Sequence, residues 1–323
     1  MRARARALTA VVALVALVLA LAPGCGSSGE APHTLRLGYL PNITNAAALV
    51  GMNEGIFDRD LAGTRVSTEK FATGTEATAA LLAGSLDAAY LGMGPVITAQ
   101  SRAPGRLRVV AGAGEAGALL VVRRGAGIRS VADLRGRDVG FPGYGNTQDM
   151  SLAWELAQVG LSGGRDADVH TVRVRNADLQ TAFERGALDA ALAPEPWGSA
   201  LVDKRLATVL VPADRVMGDG RYPSTVLVVR SDFADRHPGL VRELVRANRE
   251  AVEAAHDPAK VAEGFLAVAK SKVPEAVLMR GIASNHPTTE VWPDGTRKLV
   301  EAATAQGYLR DPVEVRALLP HGR

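Results

Sequence analysis

The 323-residue chain carries 37 Lys and Arg against 34 Asp and Glu, with one cysteine and 4% aromatic residues. Three of the arginines fall in the first 24 residues, which hold no acid, so the formal charge of +3 vanishes over the remainder; no basic stripe interleaved with aromatics, of the kind that holds nucleic acid, is present. The lone cysteine excludes a disulfide framework, and the length suffices for two lobes that each bury a core.

Arg2, Arg4 and Arg6 form a positive n-region, and Ala7 to Leu21 an uncharged apolar h-region too short for a comfortable membrane span. Residues 1–24 therefore read as an export signal. Its end, Leu21-Ala22-Pro23-Gly24-Cys25, resembles a bacterial lipobox, with Pro23 where such signals carry a small or hydroxyl residue. The resemblance implies cleavage before Cys25, a diacylglycerol on its thiol, and a protein held by lipid to the extracytoplasmic side of the cell membrane. An ordinary signal followed by an incidental cysteine is the alternative. Residues 25–33, with Gly26-Ser27-Ser28-Gly29-Glu30, read as a flexible tether.

Thr34 to Tyr39 alternates as a strand and stops at Pro41-Asn42. Ala46 to Gly55 reads as a helix of small residues, Thr64 to Phe71 as a strand, and Gly74-Thr75-Glu76 as the start of a helix running through Leu82 to Gly84. Leu86 to Leu91 is a third strand, running into Gly92-Met93-Gly94-Pro95. The pattern then recurs: strands at Leu119–Arg123 and Asp138–Phe141, a helix from Gly145 through Gln158, a strand at Val169–Val174, a helix at Asn176–Arg185, and a strand at Ala187–Leu192 that closes on Pro194-Glu195-Pro196-Trp197. Strands alternating with helices of about ten residues predict parallel β-α units. Thr225–Arg230 is one more β-branched strand, and helices follow at His237–Ala255, Pro258–Ala269, Pro274–Asn285 and Thr289–Ala305.

Ala80-Leu81-Leu82-Ala83-Gly84-Ser85-Leu86-Asp87-Ala88-Ala89 and Ala182-Phe183-Glu184-Arg185-Gly186-Ala187-Leu188-Asp189-Ala190-Ala191 share one plan: helix, Gly, one residue, Leu-Asp-Ala-Ala, strand. Two copies are too few for a solenoid and point to two similar lobes. The chain would cross between them near Ala118–Arg123 and again near Ser224–Arg230. Asp87 and Asp189 could form a carboxylate pair, but their repeated place just before a strand reads as structural.

Gly112-Ala113-Gly114-Glu115-Ala116-Gly117 matches a dinucleotide fingerprint, yet a strand follows where the fingerprint requires a helix, so it reads as a glycine-rich crossing. Gly145-Asn146-Thr147-Gln148-Asp149 does follow a strand and open a helix. Its first-turn N–H groups have no intrahelical partner and can hold the oxygens of a sulfonate, carboxylate or nitrate; plain capping by Asn146 or Thr147 is compatible with that. Trp197 suits either stacking on a ligand or a place in the core. No nucleophile motif, phosphate loop or metal-ligand spacing occurs, so neither catalysis, nor a cofactor, nor a metal is expected.

Leu37-Gly38-Tyr39-Leu40-Pro41-Asn42, the Gly84…Leu86-Asp87-Ala88-Ala89 unit, Gly145-Asn146-Thr147-Gln148-Asp149 and Pro194-Glu195-Pro196-Trp197 together resemble the nitrate/sulfonate/taurine class of ABC-importer substrate-binding proteins, over about Thr34 to Leu309. The resemblance implies an α/β periplasmic-binding-protein type II fold, two Rossmann-like lobes joined by a two-strand hinge. Residues 34–120 and 225–323 would form the first lobe and 121–224 the second. It implies a monomeric solute-binding protein that hands a small organic anion or zwitterion, of the alkanesulfonate, taurine or nitrate class, to an ABC permease with a cytoplasmic ATPase. The ligand contacts it implies are Asn42, Thr44, Asn45, Gly74, Thr75, Gly92, Met93 and Gly94 (with Pro95) from one lobe, and Asn146, Thr147, Gln148, Asn176, Glu195 and Trp197 from the other. These loops contain no Lys or Arg, while Glu76, Glu115, Asp149 and Glu195 lie in or near them, so an anion would rest on amides and hydroxyls, and a zwitterion could pair its amine with a carboxylate. The competing class is an exported enzyme or sensor on the same fold acting on a thiamine-precursor-like heterocycle; thiamine-pyrimidine synthases share the architecture but rely on further cysteines that this chain lacks.

Overall fold

The computed structural model describes residues 34–320 apart from 62, 165 and 270–272. The signal, Cys25 and the tether lie outside the described residues. Twelve strands are described: β1 (Thr34–Tyr39), β2 (Arg65–Lys70), β3 (Ala88–Leu91), β4 (Leu107–Ala116), β5 (Ala118–Arg123), β6 (Asp138–Phe141), β7 (Gly163–Gly164), β8 (Val169–Arg173), β9 (Ala190–Pro194), β10 (Ala207–Val211), β11 (Pro223–Arg230) and β12 (Asn285–His286).

They form two six-stranded sheets, ordered β12-β4-β11-β3-β1-β2 and β10-β5-β9-β6-β8-β7. In the first, β1 lies between β2 and β3 and parallel to both, and β11 is antiparallel to β3. In the second, β6 lies between β8 and β9 and parallel to both, and β5 is antiparallel to β9. Both sheets therefore start from a central strand and add a neighbour on each side in turn. The first sheet takes β11 and β12 from the chain that follows the second, whereas the second is the continuous run β5 to β10. The chain leaves the first sheet through Gly117, whose φ of +77° suits glycine, and β11 returns after β10. The chain passes between the sheets at Gly117 and again ahead of Pro223, just before the two segments expected to cross, so Ala118 already belongs to the second sheet and Ser224 to the first.

β5 and β11 read as continuous apolar runs because both of their faces are buried. Val226 and Val228 face the cluster that also holds Leu120, Leu192 and Leu299, whereas Leu227 and Val229 face the helices Ala46–Asn53 and Pro238–Ala254. The first of these clusters is continuous from one sheet to the other, and the helix Pro293–Ala305 completes it by packing against both Met93–Arg102 and Thr147–Ala157. The C-terminal helices thus do not belong to the first half alone.

The repeat seen in the sequence is a repeat in packing. A Cβ on Gly38 would lie 2.6 Å from Leu86 Cδ1 and 3.2 Å from Ala89 Cβ; one on Gly140 would lie 2.7 Å from Leu188 Cδ1 and 3.4 Å from Ala191 Cβ. Glycine on the central strand lets the Leu of Leu-Asp-Ala-Ala close down on the sheet. The Asp beside it ties the strands. Asp87 accepts from Arg36 N at 3.0 Å, Nε at 2.9 Å and Nη2 at 2.7 Å. Asp189 accepts from Asp138 N at 3.3 Å and from Arg123 Nη2 at 2.6 Å. Burial would push the Asp87 carboxyl up, but the Arg36 bonds and the charges of Arg36 and Arg230 hold it below the usual range. Because Leu-Asp forms this tie, β3 and β9 begin only at Ala88 and Ala190, later than the hydrophobic pattern suggests.

Two elements depart from the sequence expectation. Gly112–Gly117 is not a loose crossing; Gly112 to Ala116 continue β4. Gly112 N donates to Thr289 O at 3.0 Å, and a Cβ on Gly112 would lie 2.2 Å from Glu290 O. The glycines admit a chain that crosses the strand, and they carry too little β propensity to announce it. The turn at Gly92-Met93-Gly94-Pro95 likewise opens a ten-residue helix, Met93–Arg102, with Pro95 tolerated in the first turn.

Replacing Asp87 with Ala strands the Arg36 bonds and leaves Arg230 without its buried neighbour. We expect a loss of about 2–4 kcal/mol in denaturant unfolding. Asp189→Ala should cost less, since its side chain is 16% exposed against 4% for Asp87. Equal costs, or the reverse order, would contradict the tie.

Candidate functional site

In parallel α/β sheets ligands lie beyond the carboxyl ends of the strands, where neighbouring connections diverge. Here the turns that follow β1, β2, β3 and β6 meet at one place. They open the 3-10 turn Ile43–Asn45 and the helices Gly74–Leu82, Met93–Arg102 and Thr147–Ala157. A cavity of about 30 Å³ lies among Leu40, Asn42, Thr44, Asn45, Gly74, Gly92, Pro95, Asn146, Thr147, Gln148 and Ser224. No side chain of that wall is ionisable.

The first loop is organised by its own polar groups. Asn42 Oδ1 accepts from Thr44 Oγ1 at 2.9 Å and from Asn45 Nδ2 at 3.2 Å, while Asn45 Oδ1 accepts from Leu40 N at 3.1 Å. Asn45 Nδ2 also reaches Thr225 Oγ1 at 3.3 Å, which fixes the loop to β11. Across the cavity, Asn146 is the N-cap residue of its helix, yet its side chain makes no capping bond. It turns instead to the other half, where Thr75 Oγ1 donates to Asn146 Oδ1 at 3.2 Å. Gly94 N donates to Thr147 Oγ1 at 3.1 Å. Both halves therefore touch directly, and a Cβ on Gly92 would lie 2.2 Å from Thr147 Oγ1.

Of the residues expected from sequence, Asn42, Thr44, Asn45, Gly74, Gly92, Asn146, Thr147 and Gln148 line this cavity, and Thr75 and Gly94 bond to its wall. Met93 is fully buried in the core. Asn176 and Trp197 are placed elsewhere, on a pocket of about 150 Å³ with Leu179, Pro196 and Val273. Glu195 borders a third pocket and is spent on its own helix: its carboxylate accepts from Ser199 N at 3.0 Å and Ser199 Oγ at 2.7 Å, while its carbonyl accepts from Ile43 N at 3.1 Å. Burial pushes its carboxyl up, against the Ser199 bonds and the charge of Arg280. Sequence reasoning missed Ser224. Its hydroxyl is buried without a hydrogen-bond partner, at the start of β11 and on the cavity wall. Its position at the second crossing was the only signal for it.

Of the other acidic side chains near these loops, Glu115 accepts from Trp292 Nε1 at 2.7 Å and Glu76 is exposed. Asp149 is 4% exposed, accepts from Gly145 N at 2.8 Å, and takes a hydrogen bond from the Tyr308 hydroxyl. Burial pushes its carboxyl up to about 6, with those bonds opposing. The cavity is thus a neutral nest of amides, hydroxyls and helix N-termini, which suits a group of concentrated negative charge.

A family model described as NMT1-like matches residues 28–268. The chain belongs to the NMT1-like family. It is 30% identical over 125 residues to the nitrate/nitrite binding protein NrtA of Synechococcus elongatus, covering 39% of this chain and 27% of that protein. It is 28% identical over 202 residues to the taurine-binding periplasmic protein of Escherichia coli, covering 62% of this chain and 60% of that one. The chain thus spans about a quarter and three fifths of these relatives. Among solved structures, the alkanesulfonate-binding protein SsuA from Xanthomonas axonopodis, bound to MOPS, superposes with a TM-score of 0.75 at 23% identity, covering 88% of this chain and 97% of that one. A desulfurization enzyme, DszB, superposes with a TM-score of 0.64 at 20% identity, covering 90% and 97%. The fold is that of periplasmic binding proteins, and it is not confined to them.

Because the folded pKa of Asp149 lies above its unfolded value of 3.8, the stability it contributes is present below pH 3.8 and is lost as pH rises through about 6. Asp149→Asn should remove this dependence. We expect the wild type to lose about 2 kcal/mol relative to the variant between pH 4 and 7, read by urea unfolding. Parallel curves across that range would contradict the assignment.

Proposed function

We propose that this chain is an exported solute-binding protein that captures a small oxyanion, of the nitrate, taurine or alkanesulfonate class, and presents it to an ABC permease driven by a cytoplasmic ATPase. The observation that carries this reading is the convergence of helix N-termini from both halves of the chain on a cavity with no ionisable side chain. Nitrate, sulfonate and the sulfonate end of taurine each spread charge over three oxygens. Backbone N–H groups and hydroxyls can satisfy those oxygens without a cation. The family membership and the names of the relatives support the same class. Glu195, Asp149 and Glu115 are each held by other groups, which weighs against an amine-pairing carboxylate and favours the anion end of a zwitterion as the recognised group.

Capture rather than catalysis is favoured by the same chemistry. The wall offers dipoles, and its Thr44 and Thr147 hydroxyls are engaged with Asn42 and Gly94 and not with a base. Oxyanions should raise the melting temperature of residues 25–323 by mass action. Asn146→Ala combined with Gln148→Ala should weaken the tightest of them tenfold to a hundredfold, at about 1 kcal/mol or somewhat more for each lost bond. Unchanged affinity in a folded double variant would contradict the assignment of that turn.

Anchoring rests on the sequence of the export signal. Mass spectrometry of membrane-extracted protein should give a diacylglyceryl Cys25 as the first residue, and Cys25→Ser should release the protein with its affinity intact. A different mature N-terminus would contradict the lipid anchor.

A further inference from the structure

The helix Thr147–Ala157 carries a carboxylate at the end that meets the cavity. Asp149 stands in its first turn, 4% exposed, next to Gln148 of the cavity wall. Its Oδ2 accepts from Gly145 N at 2.8 Å, and Tyr308 donates to it from the C-terminal segment. Gly145 directly precedes Asn146, whose side chain turns to Thr75. The carboxylate thus takes one amide of the loop whose next three residues line the cavity. It is an anion already in residence at the positive end of that helix. A place for a second remains beside it, where the Ser224 hydroxyl, in a residue 3% exposed, has no hydrogen-bond partner.

No cation offsets Asp149. Arg102, from the helix Met93–Arg102, borders the side pocket that Gly145, Tyr144 and Tyr308 also line, but it is exposed and among the described residues makes no ion pair with Asp149. From Pro293–Ala305, Arg297 pairs with Asp294 at 2.6 Å, Lys298 donates to Met217 O at 2.6 Å, and Glu301 is exposed. Arg310 and Asp311 on the C-terminal segment, Glu76 on Gly74–Leu82 and Asp133 on the turn Val131–Leu134 are exposed as well. On its own helix, Glu155 accepts from Met217 N at 2.6 Å. Tyr308 is pushed up, by burial first and then by its bond to Asp149, so it stays a donor while the carboxyl titrates.

Resting on the oxyanion reading, we propose that Asp149 determines which oxyanions the site accepts: its carboxylate makes the site refuse doubly charged anions and couples capture of a singly charged one to uptake of a proton. Two like charges about one helical turn apart, ~6 Å, change a binding constant tenfold or more at an effective dielectric near 20. The repulsion doubles for a dianion and vanishes when the carboxyl is neutral. Burial already favours the neutral form of Asp149, and a second negative charge nearby favours it further. Proton and anion therefore assist each other by the same factor. Affinity is greatest where Asp149 is protonated and falls as pH rises through its titration.

The test is calorimetric titration of residues 25–323 with methanesulfonate and with sulfate, which share size and three oxygens but differ in charge. We expect methanesulfonate to bind tenfold or more tighter at pH 5 than at pH 8, with the decline beginning near pH 6. Near pH 7, paired buffers of different ionisation heat should show part of a proton taken up per anion bound. Asp149→Asn should flatten the pH profile, abolish the proton uptake, and at pH 8 strengthen sulfate tenfold or more beyond its gain for methanesulfonate. Tyr308→Phe removes a bond that favours the ionised carboxyl, so it should move the decline to higher pH without flattening it. A flat wild-type profile, a slope that persists in Asp149→Asn, an unmoved decline in Tyr308→Phe, or sulfate still refused by Asp149→Asn would overturn the role of Asp149, while methanesulfonate binding would leave the oxyanion reading in place. If neither methanesulfonate nor nitrate binds the folded protein at any pH, the oxyanion reading fails and this role fails with it.

Discussion

The first sheet of this protein is closed by a strand that the chain delivers only after it has built the second: β5 to β10 form the second sheet from one continuous run, and β11 then returns to lie between β4 and β3. The first half cannot close its core before that return, because β11 is buried on both faces. The return also sets the second crossing beside the first, with Pro223 paired to Glu115. Gly117 and Ser224 lie at those crossings, and Ser224 is the side chain that the cavity wall takes from there. The floor of the site is therefore a consequence of the connectivity.

From that floor the site follows by repetition. β1 and β6 occupy equivalent central places, each with a glycine under the Leu of Leu-Asp-Ala-Ala and an arginine-bound Asp beside it. The turns leaving both central strands face each other, and each carries unspent backbone donors. Paired dipoles of one sign would repel in an empty crevice; direct contacts such as Gly94 N to Thr147 Oγ1 satisfy part of that polarity. An oxyanion would satisfy more of it. The buried Asp149, whose carboxyl burial pushes up to about 6, lies in the first turn of the helix Thr147–Ala157.

Much of this was legible in the sequence where a local rule and the tertiary structure agree. The helix Gly74–Leu82 starts at Gly74-Thr75-Glu76 and stops short of Gly84 as expected, and its start is fixed by Thr73, whose hydroxyl accepts from Glu76 N at 3.2 Å. Asp138–Phe141 is short, apolar and flanked by turns, and is a strand as expected. β4 was hidden because its glycines answer to a crossing chain at Thr289–Glu290 rather than to strand propensity. The site divides in the same way. Asn42, Asn45, Asn146 and Gln148 were legible because each follows a central strand. Asn176 and Trp197 follow β8 and β9 and border a separate pocket; of the turn after β9 it is the Glu195 carbonyl, accepting from Ile43 N, that meets the first half. The Asp149–Tyr308 contact, from residues far apart in sequence, left no pattern to read.

The central claim is that a neutral nest built from both halves of the chain holds an oxyanion. A crystal structure of residues 25–323 grown with a saturating alkanesulfonate tests it most directly. The account predicts the sulfonate oxygens within hydrogen-bond distance of Ser224 Oγ and of the Thr147–Gln148 turn, with no Lys or Arg in contact. A sulfonate seated instead against Arg280 or another cation, or held by one half of the chain alone, would contradict it.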